Sequence, residues 1–471
     1  MQLRLFNTAS REIEGLVPVH PPVVGLYTCG PTVYYLAHVG HIRAYANSDI
    51  LRRTLEYMGY DVRHVMNVTD VGHMTSDADE GEDKLEVGAR REGKSPWEIA
   101  RFYEDQFFRT IERANIERPH IICRATEHIA DQIALIQRLE EKGYTYRTEV
   151  GVIFDTSKFP DYARFARLDL EGQQAGARVE VDEGRRNPWD FALWVTNQPN
   201  HIMQWDSPWG RGFPGWHIEC SAMSMKYLGE EVDIHTGGID HIPIHHTNEI
   251  AQSEAATGKR FVRYWFHSAF LNVDGRKMSK SLGNLYTLDD VVERGFSPLA
   301  LRYFYLGSSY RKALNFTWEA LAAAQTSLVR LWQKAADLPA PDGPPLDAEM
   351  AAFEEAMGAD LNTPRALAVL WEVADSPGPA ERVAATFQAM DRILGLDLAR
   401  AAERLEELRS IQVSSKANEE KAMALAEERA ALRRQKEFAK ADALRAQIFE
   451  LGFIVEDTPQ GPRLKPKGPK A

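Results

Sequence analysis

Three groups of side chains in this sequence have the types and spacing to do chemistry. His38-Val39-Gly40-His41 sets two imidazoles three residues apart around a glycine. Where a helix starts at such a segment, its unpaired N–H groups and partial positive charge make an anion site, the imidazoles add directed donors, and Gly40 lets a ligand approach the backbone. That is the chemistry of holding a polyphosphate. Lys277-Met278-Ser279-Lys280-Ser281, after a turn at Asp274-Gly275, carries two lysines on a polar loop. Such ammonium groups can meet negative charge as it develops on a leaving group. The third group is softer: Cys29 and Cys220, with the histidines and acids of the 233–249 segment, offer thiols, imidazoles and carboxylates. A helix beginning near His245 puts His245 and Glu249 on one face, four residues apart and within reach of one ion. Two thiolates, an imidazole and a carboxylate suit Zn²⁺ better than Mg²⁺. His235, His241 and His246 compete with His245 for that role, whereas Cys123, beside Ile121 and Ile122, reads as a buried apolar residue.

The elements that must position these groups follow from periodicity. Val23 to Tyr27 is a short apolar run suited to a buried parallel strand, and it ends at the Gly30-Pro31 turn signal. From about Gly40 to Met58 apolar residues recur at threes and fours, with Gly59 placed to stop a helix, and Asp61 to Thr69 reads as a second strand. The unit is βαβ, so His38–His41 falls at the carboxyl edge of a parallel sheet. Glu127 to Lys142 has an amphipathic helical pattern, followed by strand-like runs at 144–147 and 150–154. Beyond the lysine loop the pattern turns helical: Phe316 to Asp337, a Pro-rich linker at 338–345, and further helices across 346–408. After a polar stretch, Gln412 to Asn418, a long run without Gly or Pro carries Arg433, Arg434, Lys436, Lys440 and Arg445 and leads to a basic tail with Arg463, Lys465, Lys467 and Lys470. Such clusters suit contact with phosphates.

Tyr27 to Tyr34, His38–His41, Gly215-Trp216-His217-Ile218-Glu219-Cys220 and Lys277–Ser281 together resemble the cysteinyl-tRNA synthetases, a class I aminoacyl-tRNA synthetase family. The resemblance runs through nearly the whole chain. The family's usual HIGH appears here as HVGH, an exchange of one apolar buttress for another, and its KMSKS appears unchanged. Val71 to Met74 stands where many relatives carry acidic residues, and an acidic loop from Asp77 to Asp83 follows.

The resemblance implies an α/β fold: a class I Rossmann-type catalytic domain in two halves, 1–114 and 214–295, interrupted by a connective insertion at 115–213 that meets the acceptor end of tRNA. A helical junction at 296–338 would follow, then a helical anticodon-binding domain at 346–411, opened by Asp360 to Leu367, and a tRNA-binding extension at 412–471. It implies catalytic roles for His38, His41, Lys277 and Lys280, with Lys280 the first choice for the departing pyrophosphate, and ATP binding by His38, Gly40, His41 and Lys280. One Zn²⁺ per chain would sit on Cys29, Cys220, His245 and Glu249. The cysteine pocket would use Thr69, Trp216, His235 and Asp240, with Asp240 facing the ammonium group. ATP would come with Mg²⁺, and the partners would be L-cysteine and tRNA(Cys), with the enzyme a monomer.

Composition agrees without leading there. The chain has 471 residues, 44% of them hydrophobic, enough for several cores. Its three cysteines and an N-terminus lacking an apolar run point to a reducing cytoplasm. No apolar stretch reaches the roughly 18 residues of a membrane span. The net charge of −12 decides little, since nucleic acids are bound by local patches. Two rival readings share parts of the pattern. A cysteine ligase acting on an amino sugar would lack the 412–464 region, and a non-catalytic tRNA-binding paralogue would not need intact HVGH, KMSKS and metal residues.

Overall fold

The computed structural model describes residues 2–72, 84–168, 184–279, 282–458 and 461–467. Lys280 and Ser281, the acidic loop from 77 to 83, His73, Met74, Lys470 and the whole 176–183 stretch lie outside the described residues.

The centre is a five-stranded parallel sheet in the order Val262–Ser268, Val232–Gly238, Val23–Thr28, Asp61–Val68, Ile121–Arg124. Alternation along Val23–Thr28 explains its burial on two sides. Val24 and Leu26 join a cluster with Ile50, Leu51 and Leu55 of the helix Val39–Tyr57. Tyr27 points the other way, among Ile218 and Met223 of the helix Trp216–Leu228 and Ala251 of the helix Thr247–Thr257. From Val23–Thr28 the chain goes to one side of the sheet and later returns to the other. The strand order therefore reverses between Val23–Thr28 and Val232–Gly238, and a crevice opens at their carboxyl ends, where α/β sheets bind ligands.

The segment between Ile121–Arg124 and Val232–Gly238 carries a four-stranded antiparallel sheet of Thr145–Arg147, Gly151–Phe154, Phe191–Thr196 and Gly212–Pro214. Gly215 N donates to Leu193 O at 2.9 Å, so this second sheet leads directly into the helix that bears Trp216 and Cys220. Phe316, expected to open a helix, instead ends a short strand, Leu314–Phe316. Thr317 accounts for this: it is extended, and its Oγ1 accepts from Ala320 N at 3.1 Å, capping a helix that runs Trp318–Ala336. The helices Asp347–Gly358, Thr363–Ala374 and Ala380–Leu394 follow. Then one helix, Ala401–Arg434, passes through the polar Gln412 to Asn418 stretch without a break. It packs with Phe438–Glu450 and the hairpin Phe453–Thr458/Gly461–Pro466 around Ala422, Ala426, Ile448 and Val455.

Candidate active site and metal centre

The His38–His41 turn is built by reciprocal capping. His38 is the N-cap of Val39–Tyr57; its Nδ1 accepts from His41 N at 3.3 Å, and His41 Nδ1 accepts from His38 N at 3.4 Å. The rings stack with centroids 3.5 Å apart. A neutral imidazole that accepts at Nδ1 carries its proton on Nε2, so both rings keep an N–H donor free of the cap. Loss of water in the cleft lowers the pKa of His38, which is half-buried, and also that of His41, which is the more exposed of the two. An added Cβ on Gly40 would lie 3.1 Å from the His38 ring and 3.1 Å from Met278 Sδ, which puts the lysine signature directly against the turn.

Lys277 ends the short strand Arg276–Lys277, with its Nζ 5.6 Å from the centre of the Phe270 ring. Asn284 braces the loop: its Oδ1 accepts from Ser279 N at 2.8 Å and its Nδ2 donates to Lys277 O at 3.2 Å.

Cys29 follows the central strand, and its N donates to Thr236 O at 3.2 Å across the switch point. Gly30 is required beside it, because a Cβ there would lie 1.6 Å from Asn67 O. Cys220 projects from the second turn of Trp216–Leu228, and His245 and Glu249 from consecutive turns of the helical run Ile242–Thr257. Ligand atoms of Cys29, Cys220, His245 and Glu249 all lie within 4.8 Å of one another, every residue buried. Glu249 Oε1 is 3.1 Å from His245 Nε2 yet forms no hydrogen bond. Among buried groups such an orphaned oxygen calls for a partner, and the donor set fits a soft divalent ion. The thiols share their proton unequally. The hydrogen bond from Cys29 pulls Cys220 down to about 7, while burial pushes Cys29 up. Burial alone would lower His245, but the Glu249 and Cys220 charges raise it to about 10. Burial would raise Glu249, but His235 and His245 hold it at about 2.

Cys29, His235, His246 and Glu249 form a second set within the same 4.8 Å limit. The two sets differ in access. Cys29, Cys220 and His245 line a cavity of about 480 Å³, together with His38, His41 and Trp216, whereas His235 and His246 are fully buried and do not line it.

The same cavity reaches Thr69, Asp240, Gly40 and Lys277. Trp216 lies over His245 with ring centroids 4.2 Å apart. Thr69 Oγ1 donates to Glu219 Oε2 at 3.1 Å. Asp240 stands in the turn Ile239–His241, and Gly238 leaves room for it, since a Cβ there would lie 2.2 Å from Asp240 Oδ1. His235 departs from the expected pocket. It is fully buried, its Nε2 is 3.0 Å from Glu249 Oε2 and its ring stacks on Trp265, so it buttresses the carboxylate instead of facing the cavity. Lys280 lies outside the described residues.

Residues 15–326 match the family described as tRNA synthetases class I (C) catalytic domain, and residues 352–411 match the DALR domain. The chain is 51% identical over 468 residues to the Cysteine--tRNA ligase 1 of Burkholderia lata, covering 98% of this chain and 97% of that one. It is 46% identical over 486 residues to the Cysteine--tRNA ligase of Treponema denticola, covering 97% and 98%. The chain belongs to the cysteine–tRNA ligase family of class I synthetases. The fold of this family member is also that of more distant class I enzymes. Methionyl-tRNA synthetase of Mycobacterium tuberculosis, solved with methionyl-adenylate, superposes with a TM-score of 0.54 at 18% identity over 83% of this chain and 93% of that one. The LeuRS–tRNA–LeuAMS complex from Agrobacterium radiobacter K84 gives 0.59 at 13% identity over 84% and 86%.

Several residues around the site carried no separate signal in the sequence. His217 Nδ1 lies 3.0 Å from His245 Nδ1, and buried Glu219 receives Thr69; both sit inside the Gly215–Cys220 segment, whose every second residue is polar. Arg43, three residues past Gly40, is buried and donates to Ala269 O, Phe270 O, Ser309 O and Lys312 O, clamping the signature helix to two loops. A lone arginine in a helix reads from sequence as solvated.

Proposed function

We propose that this chain is an ATP-dependent ligase that joins L-cysteine to ATP as cysteinyl-adenylate and then transfers the cysteine to tRNA(Cys), releasing pyrophosphate and AMP. The observation that carries this reading is the meeting of two buried thiols and an imidazole, clustered with a buried carboxylate, with the His38–His41 turn in one cavity. Full-length similarity to cysteine–tRNA ligases supports it.

ATP, arriving with Mg²⁺, lies with its phosphates against the N-terminus of Val39–Tyr57, where Gly40 gives clearance and the Nε2–H groups of His38 and His41 donate. The cysteine carboxylate attacks the α-phosphate in line. Charge moves onto the departing pyrophosphate, and Lys280, with Lys277 beside the ring of Phe270, neutralises it. Carboxylates are already ionised at neutral pH, so this step needs no general base. Asp240 takes the ammonium group, Trp216 closes the pocket over the side chain, and Thr69, oriented by Glu219, holds the opposite wall.

Cys29, Cys220, His245 and Glu249 would hold one Zn²⁺, since three of this set line the cavity while only Cys29 of the set with His235 and His246 does. When bound, the ion supplies a soft acceptor that distinguishes a thiolate from the hydroxyl of serine, a difference too small for shape alone. His235 and His217 keep the ligands Glu249 and His245 in orientation. The region from 352 to 411 and the 412–471 extension hold tRNA, and the insertion at 115–213 meets its acceptor end. The enzyme works as a cytoplasmic monomer. No helix among the described residues is long and apolar enough to cross a membrane.

Cysteine-dependent exchange of pyrophosphate into ATP, followed by charging of total tRNA, tests this reading. Exchange with cysteine and charging of tRNA(Cys) alone are expected. Exchange without charging would leave an adenylating enzyme with another acceptor, and absence of exchange would remove the catalytic reading.

A further inference from the structure

The helix Leu288–Glu293 has six residues, yet its two ends are fastened to different parts of the molecule. At its start Thr287 Oγ1 accepts from Asp290 N at 3.2 Å, and Asp290 Oδ2 accepts from Thr287 N at 2.7 Å. The same Thr287 pairs with His38 in an isolated antiparallel bridge, and Tyr286 O accepts from Val39 N at 2.8 Å. The Tyr286–Thr287 strip therefore supports one edge of the His38–His41 turn.

The far end is held by the C-terminal region. Glu293 O accepts from Ser415 Oγ at 2.9 Å, and Glu293 Oε2 lies 3.3 Å from Lys467 Nζ. Arg294 Nη2 donates to Lys467 O at 3.1 Å, while its guanidinium lies 3.9 Å from the centre of the Trp318 ring and 5.4 Å from that of Tyr286. Lysines are almost never deeply buried without a partner, and the Lys467 side chain is only 5% exposed. A flexible basic tail serving phosphate contact alone would leave that ammonium in water.

We propose that Lys467 and Ser415 are positioning residues for adenylate formation. Through Glu293 and Arg294 they set the place of the short helix, and with it the strip that holds the imidazole donors. A six-residue helix is not stable by itself, so its position is decided by what holds its ends. Donors aimed at developing charge lose rate steeply when displaced. This inference rests on the adenylation reading above. It extends the part played by the C-terminal region from tRNA binding to the step that precedes it.

The test uses the full chain in pyrophosphate exchange without tRNA, so that tRNA contacts cannot contribute. Glu293→Lys and Lys467→Glu are each expected to lower kcat for exchange on the order of five-fold with KM for cysteine little changed, and the double exchange of both residues to restore most of the rate. Lys467→Met fills the same space without the charge, and it serves if the reversed charges prevent folding; it should lose a similar factor. An inactive parent overturns the adenylation reading itself. An active parent with single variants and Lys467→Met at the parental rate overturns the coupling, as does a loss that the double exchange leaves unrestored.

Discussion

His38 and His41 each do two jobs with two different nitrogens. Nδ1 caps the helix, and in the function proposed above Nε2–H serves the phosphates. The two roles are separable. Asparagine is among the best N-cap residues, so His38→Asn keeps the cap and removes the outward donor. The expected result is a melting temperature close to the parent's and adenylate formation slower by about 10²-fold, the scale of losing one transition-state donor, read by pre-steady-state exchange. A similar division marks the thiols. Replacing Cys220 with serine leaves a hydroxyl that is a poor ligand, so metal content, about one ion per chain in the parent, should fall, and the preference for cysteine over serine in exchange should fall with it. Elemental analysis of chelator-free protein reads the first, and the ratio of kcat/KM values the second. Full metal occupancy in Cys220→Ser would remove this thiol from the ligand set.

At the scale of elements, the site depends on backbones passing close together. Just past the paired ends of Val23–Thr28 and Asp61–Val68 the backbones come close at Gly30, whose N donates to Asn67 Oδ1 at 2.7 Å and where an added Cβ would meet Asn67 O. Gly30→Ala is expected to destabilise the chain by about 3 kcal/mol, as overpacking against an unyielding main chain does, visible as a lowered urea midpoint and as loss of soluble protein. Much of this was legible in the sequence. The apolar run of Val23–Thr28, the threes and fours of Val39–Tyr57 and the amphipathic Ile129–Glu141 are periodic, and periodicity is what packing against a sheet imposes. The i, i+4 geometry of His245 and Glu249 follows from a helix alone. What was not legible depends on tertiary contact. His235 faces Glu249 because of where its strand ends, Arg43 is buried because four carbonyls receive it, and Ala401–Arg434 stays helical through a polar stretch because its flanks are pinned, at Leu408 and at Ala422.

Across the whole molecule, a buried ionic hub joins the signature helix to the helical region. Arg302 Nη2 meets Asp49 Oδ2 at 2.6 Å, its Nε donates to Leu394 O at 2.6 Å and its Nη1 to Asn115 O at 2.8 Å; Asp49 also binds Arg53. Gly395 is left-handed at φ +64°, and a side chain there would lie 2.6 Å from the guanidinium. Arg302→Met removes one partner of a buried pair and should cost about 3 kcal/mol in urea unfolding, more than the loss of an exposed pair would. A midpoint equal to the parent's would mean that Arg53 alone satisfies Asp49.

The order of strands in the central sheet also has a consequence in time. Val23–Thr28 lies in the middle of that sheet, paired on one side with Asp61–Val68 and on the other with Val232–Gly238. On a ribosome adding about 5–20 residues each second, roughly 8 to 33 seconds separate the synthesis of these two neighbours. Through that interval one edge of an apolar strand has no native partner, the condition that invites pairing with other chains. Cys29 waits as well, since Glu249 is made later still. The nascent chain therefore passes through a stage in which half of the nucleotide fold exists, its sticky edge is bare, and the cluster to which Cys29 belongs cannot yet help it to close.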